Sequence, residues 1–199
     1  MLPLAAAAPA RAEADAPRES ASTPQHLSQA FIQYGLAFTG EFVLAPGPIC
    51  PAAVECILGS GGGLALRVGW RLRSPFYIGA AYEFSKQEPQ QLYRLAILQQ
   101  LRAEGRYYIL TGHTTEPYLF ASAGAAAYGN LWGIDTAGPA FGLGAGAEFQ
   151  ISTSFVVGLS LTYRALFFTS FSDTAGVDRP AGFSHLIGLD LILETRDPF

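Results

Sequence analysis

Residues 62–84, GGLALRVGWRLRSPFYIGAAYEF, decide the fold of this chain. From Leu64 to Arg73 every second residue is apolar, and the residues between them are small or cationic. The alternation resumes after the turn at 74–75 and continues to Phe84. An apolar period of two is typical of a β-strand with two unlike faces, so this stretch predicts a hairpin with a very short turn.

The apolar face of the hairpin forms a band with aromatic residues at its ends, which suits tilted strands that cross a bilayer. The same alternation predicts six further strands, near residues 31–44, 92–110, 118–129, 141–151, 155–167 and 187–194. Long loops (45–61, 86–91, 130–138 and 172–182) alternate with short turns (74–75, 111–116 and 153–154), an asymmetry found in transmembrane barrels. The prediction is therefore an all-β fold, an eight-stranded antiparallel up-and-down transmembrane β-barrel.

Aromatic residues on the lipid-facing parity indicate how this barrel is oriented. With the N-terminus in the periplasm, the short turns also lie on that side, and six aromatics fall near it: Tyr34, Trp70, Phe76, Tyr107, Phe149 and Phe155. Such a cluster is typical of the aromatic girdle at a membrane interface.

One competing signal is the uncharged stretch from Pro117 to Ile134, which is long enough for a transmembrane helix. The stretch contains Gly124, Gly129 and Gly133 and ends in turn residues instead of cationic flanks. These helix breakers favour a strand.

Composition sets further limits on function and domain organisation. Hydrophobic residues make up 50% of the 199 residues and charged residues only 14%, and the net charge of −4 includes no basic block. Nucleic-acid binding is therefore not expected. Small-x-small triplets in residues 1–14 resemble a signal-peptide cleavage region, residues 15–30 are polar and predict a linker, and residues 31–199 form the barrel.

The two cysteines, Cys50 and Cys56, lie in a loop rich in proline and glycine. Close spacing in an exported protein favours a disulfide within an exposed external loop, and reduced thiols are the alternative. Two cysteines without nearby histidines make a poor metal site, so we predict neither a metal nor a cofactor.

Charged residues collect on the parity that faces the barrel interior. Six arginines and six acids share it: Arg67, Arg71, Arg73, Arg102, Arg106 and Arg164 with Glu41, Glu83, Glu104, Glu148, Asp190 and Glu194. An eight-stranded barrel is barely wide enough for its own side chains, so these groups must pair. We expect a structural network; the alternatives are a gated ion path and a ligand cradle.

Residues 31–199, with their alternating strands, charged interior and terminal Phe199, resemble the small outer-membrane β-barrels of the OmpA transmembrane-domain and OmpX-like group. The resemblance implies a location in the bacterial outer membrane and assembly by the outer-membrane insertion machinery. It also implies roles that range from envelope integrity to adhesion and resistance, without choosing among them.

The resulting functional expectation is a non-enzymatic, monomeric outer-membrane barrel with a charged, plugged lumen. It would contact outer-membrane lipid and bind an unidentified extracellular ligand through its loops. One alternative is a soluble lipocalin-like barrel with its apolar parity inward, because alternation is symmetric under inversion. The other is a lipid A-modifying enzyme, but the adjacent Ser184 and His185 must point to opposite faces.

Overall fold

The computed structural model describes residues 30–73, 75–87 and 93–198, so the predicted signal remnant, nearly all of the linker and Phe199 lie outside the described residues. Eight long strands alternate along the chain with loops that contain one short helix and two short strands. Their bounds are β1 Phe31–Ala45, η1 Gly47–Ile49, β2 Gly61–Arg71, β3 Phe76–Gln87, β4 Ala96–Tyr108, β5 Thr115–Asn130, β6 Thr136–Gln150, β7 Phe155–Phe168, β8 Phe171–Ser172, β9 Asp178–Arg179 and β10 Gly182–Pro198.

The eight long strands form a closed antiparallel barrel in the order β1-β10-β7-β6-β5-β4-β3-β2. Each pairs with its neighbours in chain order, and the barrel closes where β1 meets β10, with Phe31 opposite Pro198 and Ile32 opposite Asp197. The sheet pairing therefore runs through the polar Asp197–Pro198 step. The predicted eight-stranded barrel fold is confirmed.

Three strands extend well beyond their sequence pattern: β5, β6 and β10, the last of which runs from Gly182 to Pro198. β5 begins at Thr115 and β6 begins at Thr136, so the predicted loop 130–138 shrinks to a turn at 131–135. Leu131 adopts a left-handed backbone conformation there, with φ of 57°. The sequence pattern missed the start of β6 because small residues at 137–140 give no contrast between the two faces, and it missed the start of β5 because Thr115 and Glu116 were assigned to a turn.

The competing helix between Pro117 and Ile134 is wrong, since residues 117–130 belong to β5. Among the described residues, no helix is long and apolar enough to cross a membrane.

The outside of the barrel is a belt of large apolar side chains, among them Leu66 at 59% exposure and Leu143 at 65%. All six aromatics of the predicted girdle are exposed, near the end where the short turns lie. An apolar exterior around a polar interior suits a bilayer and reverses the arrangement of a lipocalin, so that alternative is wrong.

Two glycines on adjacent strands show how the narrow interior is packed. Gly69 and Gly79 pair across β2 and β3, and the hydroxyl end of Tyr77 lies over both. A Cβ at either position would come within 2.6 Å of that ring. Glycine is therefore required here to let an aromatic side chain lie flat against the barrel wall.

Candidate functional site

The interior of the barrel holds most of the charged residues of the described chain. Of the twelve residues predicted to form the network, the structure places eleven in the lumen, each at most 6% exposed. Arg73 is the exception and corrects the prediction: it is exposed and follows the end of β2 at Arg71. Its parity in the sequence is correct, but the strand stops before it, so its side chain is free to reach water.

One cluster fills the half of the lumen near the short turns. Arg106 contacts Glu148 at 2.5 Å and Glu194 at 2.8 Å. Arg67 contacts Glu104 at 2.5 Å. Because each carboxylate meets guanidinium groups from other strands, this cluster ties together strands on opposite sides of the barrel.

Two further charges, Arg196 and Glu116, belong to this cluster although they are not among the twelve residues predicted from the sequence. Arg196 contacts Glu148 and lies 3.3 Å from Glu116, which in turn lies 3.3 Å from Arg71. Arg196 continues the inward parity of β10, so the alternation could have identified it. Glu116 could not be identified, because it was assigned to a turn.

A second cluster lies nearer the long loops and centres on Arg164. Its guanidinium contacts Glu83 at 2.5 Å, Glu41 at 2.8 Å and Asp190 at 3.4 Å. Arg102 bridges this cluster to the first one, with Glu83 at 2.6 Å and Glu104 at 3.0 Å.

Neutral polar side chains complete the second cluster around Glu41. Its carboxylate accepts hydrogen bonds from Ser85, Gln87 and Gln100. Their inward parity on the strands could have identified these residues, but they carry no charge and were not predicted as part of the network.

The charges of the lumen do not balance exactly in number among the described residues. Six arginines meet seven acids, all of them buried: Arg67, Arg71, Arg102, Arg106, Arg164 and Arg196 with Glu41, Glu83, Glu104, Glu116, Glu148, Asp190 and Glu194. Glu41 and Glu83 accept from the same Nη1 atom of Arg164. The extra acid therefore lies in the second cluster.

Above the second cluster, the mouth of the barrel is filled by the first long loop, residues 46–60, called loop 1 below. Ile49, Ile57 and Leu58 are at most 3% exposed. They pack into one apolar cluster with wall residues from five strands: Ala96, Leu98, Ala126, Tyr128, Ala140, Leu166, Phe168 and Leu186. Loop 1 thus folds back into the barrel, which corrects the prediction of an exposed external loop.

The physical reason for this correction is the composition of loop 1 and of the wall around it. The inward parity becomes apolar at the mouth, where Leu98, Leu166 and Leu186 replace the charges below. The apolar wall at the mouth is removed from water only if other apolar residues pack against it from the loop side, and loop 1 supplies them. The proline and glycine content of loop 1 suggested an exposed loop, although the loop also contains the apolar Ile49, Ile57 and Leu58.

Two devices hold loop 1 in place. The predicted disulfide between Cys50 and Cys56 is confirmed, with the two Cα atoms 4.6 Å apart. The buried Arg179 of β9 donates hydrogen bonds to the carbonyl oxygens of Ile49 at 3.1 Å and Glu55 at 3.0 Å. Loop 1 is therefore linked to the β8–β9 hairpin.

Asp173, between β8 and β9, orients this arginine. Its carboxylate accepts from Nη2 of Arg179 at 2.7 Å and from the backbone N–H groups of Ala175 and Val177 at 2.9 Å each. Burial raises the pKa of Asp173, but these donors outweigh it and hold the pKa below its usual value.

Ser184 and His185 lie on opposite faces of β10, as the alternation predicts. The Ser184 hydroxyl is buried and donates to the Pro46 carbonyl oxygen at 2.6 Å. The His185 ring faces outward, with its Nδ1 atom 2.7 Å from the Tyr163 hydroxyl. The two side chains cannot act on one substrate atom.

Comparisons with known proteins agree with this architecture. No protein-family model matches the chain, and no curated protein sequence matches it. Among solved structures, Neisserial surface protein A matches with a TM-score of 0.57 and 13% identity, covering 85% of this chain and 97% of that one. The outer membrane protein AlkL matches with a TM-score of 0.55 and 14% identity, covering 86% and 92%.

A third match is the outer membrane protein OprG from Pseudomonas aeruginosa, with a TM-score of 0.50 and 12% identity over 85% of this chain and 96% of that one. Identities this low carry information about the fold alone. The chain has the fold of the small outer-membrane β-barrels.

Proposed function

We propose that this protein is a non-enzymatic β-barrel of the bacterial outer membrane whose lumen is closed by its own side chains. Its apolar belt, its barrel fold and the asymmetry between long loops and short turns support the location. The same proposal includes assembly by the outer-membrane insertion machinery and a monomeric state.

The observation that carries the proposal is the stack of three layers inside the barrel. Two charged clusters, joined through Arg102, lie below an apolar layer made by loop 1 and the wall. Each layer blocks a continuous water path by a different means: the ion pairs fix long side chains across the lumen, and the apolar layer excludes water. A barrel filled in this way acts as a scaffold and not as a channel.

We assign the interaction role to the outer loops. Loop 1 and the β8–β9 hairpin are fixed to each other through Arg179, yet their tips remain exposed at Ala52, Glu55 and Thr174. Loops held on a rigid barrel are the usual place for binding sites, since they lose little entropy when they meet a partner. The expected partner is an extracellular ligand that contacts both tips at once.

Planar-bilayer recording tests the closed lumen. The folded protein should give no steady conductance, whereas Ile57→Asp, which puts an unpaired charge into the apolar layer, should give brief openings as loop 1 leaves the mouth. Ala52→Asp is the control, because it adds the same charge at the exposed tip of loop 1, and it should give no openings. Leu44→Asp would not serve, because Leu44 faces lipid. Large, steady conductance from the unmodified protein would contradict the proposal.

A further inference from the structure

The lipid-facing surface of β2 and β3 carries two depressions, one above the other. The lower one is an apolar groove of about 590 Å³, whose outward side chains include Leu36, Leu66, Val68, Ala80, Tyr82 and Leu101. The upper one is a polar notch of about 420 Å³, lined by Ser60, Gly61, Gly62 and Lys86. We propose that together they form a binding site for one acylated lipid with an anionic phosphate head group in the outward-facing leaflet.

The strand register places the groove and the notch on one continuous strip. Val68 pairs with Ala80, Leu66 with Tyr82, and Gly62 with Lys86, all at positions that face outward. Ala80 is smaller than Ile78 and Tyr82 on its own strand and than Val68 on β2, and its partner on β4 is the equally small Ala103, so the surface is recessed here. An acyl chain lying over Ala80 would therefore bring its head group to the notch.

The length of the strip fits one leaflet. Ala80 and Lys86 are six residues apart on one strand, which at about 3.3 Å per residue is roughly 20 Å along the strand. A strand tilt of about 40° reduces this to roughly 15 Å along the membrane normal, half of a hydrocarbon core about 30 Å thick. The Lys86 ammonium group therefore lies at the depth of the lipid phosphates when the acyl chain of the lipid ends near the bilayer midplane.

The chemistry changes along the strip in the order that a phospholipid requires. Tyr82 donates its hydroxyl to Gln99 at 2.9 Å, so the first polar pair stands at the upper end of the groove. Trp132, 74% exposed, stacks on Phe84 with ring centroids 5.4 Å apart, an arrangement suited to the membrane interface. Lys86 follows two residues later and is the only lysine in the sequence.

The notch itself is suited to an anion. Its floor is glycine backbone, and the Ser60 hydroxyl is held in place by the backbone N–H of Val43 at 3.3 Å. A lysine ammonium is a compact charge that pairs with phosphate without demanding a fixed geometry. The second lipid-facing groove, about 400 Å³ around Ala121 and Leu119, lies toward the short turns and has no lysine beside it.

Native mass spectrometry of the folded, detergent-purified protein tests this site, with dimyristoyl phosphatidylglycerol and dimyristoylglycerol as probes. We expect one retained phosphatidylglycerol and little diacylglycerol. Lys86→Gln should weaken phosphatidylglycerol retention by about tenfold, the usual size of a lost charge-assisted contact. Ala80→Leu, which fills the groove, should abolish retention of both lipids.

Two matched controls separate the site from general effects of charge and shape. Arg94→Gln removes another exposed cation, and Ala121→Leu fills the second groove; neither should change retention. Equal retention of both lipids, or equal retention by Lys86→Gln, would overturn the head-group assignment. Displacement of phosphatidylglycerol by millimolar inorganic phosphate would identify a free-anion site and overturn the lipid assignment.

The inference rests on the proposed membrane placement, and the same samples distinguish the two failures. A chain that stays soluble without detergent contradicts the placement. A folded, detergent-dependent barrel that retains neither lipid contradicts the site alone.

Discussion

At the scale of single residues, Arg164 is the clearest test of the lumen network. It faces three carboxylates, and its loss would leave Glu41 and Asp190 buried without a paired cation, and Glu83 with Arg102 alone. Arg164→Ala should therefore lower the free energy of unfolding by about 3–5 kcal/mol, since a broken buried pair costs more than the intact pair contributes. Denaturant titration of the detergent-folded protein measures this.

Arg73 is the matched control, because it has the same chemistry at an exposed position outside the strand. Arg73→Ala should change the free energy of unfolding by about 0.5 kcal/mol or less. Equal effects of the two substitutions would show that the lumen pairs contribute no more than surface charges.

Because Asp173 orients Arg179, the attachment of loop 1 to the β8–β9 hairpin should weaken as the pH falls. Its pKa in the folded protein lies below the unfolded value of about 4. Its contribution is therefore complete above the unfolded value and is lost as the pH falls through the folded value. Reduction of the disulfide by a phosphine reductant should accelerate in acid, relative to a free peptide with the same two cysteines.

The variant Asp173→Asn supplies the comparison, because it lacks the titrating group. It should be reduced faster than the unmodified protein at pH 7, and the two rates should converge in acid. Rates that differ by a constant factor at every pH would contradict a role for the carboxylate.

At the scale of elements, the disulfide should affect the order of loop 1 more than the stability of the whole barrel. Closing a ring between residues 50 and 56 contributes only about 2 kcal/mol, because the entropy removed from the unfolded chain grows with loop length. Replacing both cysteines by serine should leave the barrel folded but increase hydrogen exchange in loop 1. Thiol labelling that requires prior reduction verifies the bond, and full labelling without reductant would refute it.

The elements also show what a sequence can and cannot predict. Alternation identified every barrel strand and the inward parity of Arg67, Arg106 and Glu194, because the pattern of side-chain contrast follows directly from strand geometry. It could not locate the start of β6, where small residues lie on both faces, or the start of β5, where the polar Thr115 and Glu116 resemble a turn. It could not place loop 1 either, since packing between a loop and a distant wall has no period.

At the scale of the whole molecule, the closed barrel should resist detergent and migrate differently before and after boiling. The reason is that every barrel strand pairs on both edges, so no edge offers a place for unfolding to begin. Gel electrophoresis of boiled and unboiled samples, purified in mild detergent, tests this. Identical mobility together with solubility in plain buffer would contradict a membrane barrel.

The seam between β1 and β10 has a consequence for the order of folding. Each other junction joins barrel strands that follow one another along the chain, whereas the seam brings Phe31 to Pro198. Loop-closure entropy rises with chain separation, so this pairing should form last, after an open sheet with two bare edges. A peptide that copies β10 should then trap that open sheet when added during refolding, yet leave the finished barrel untouched.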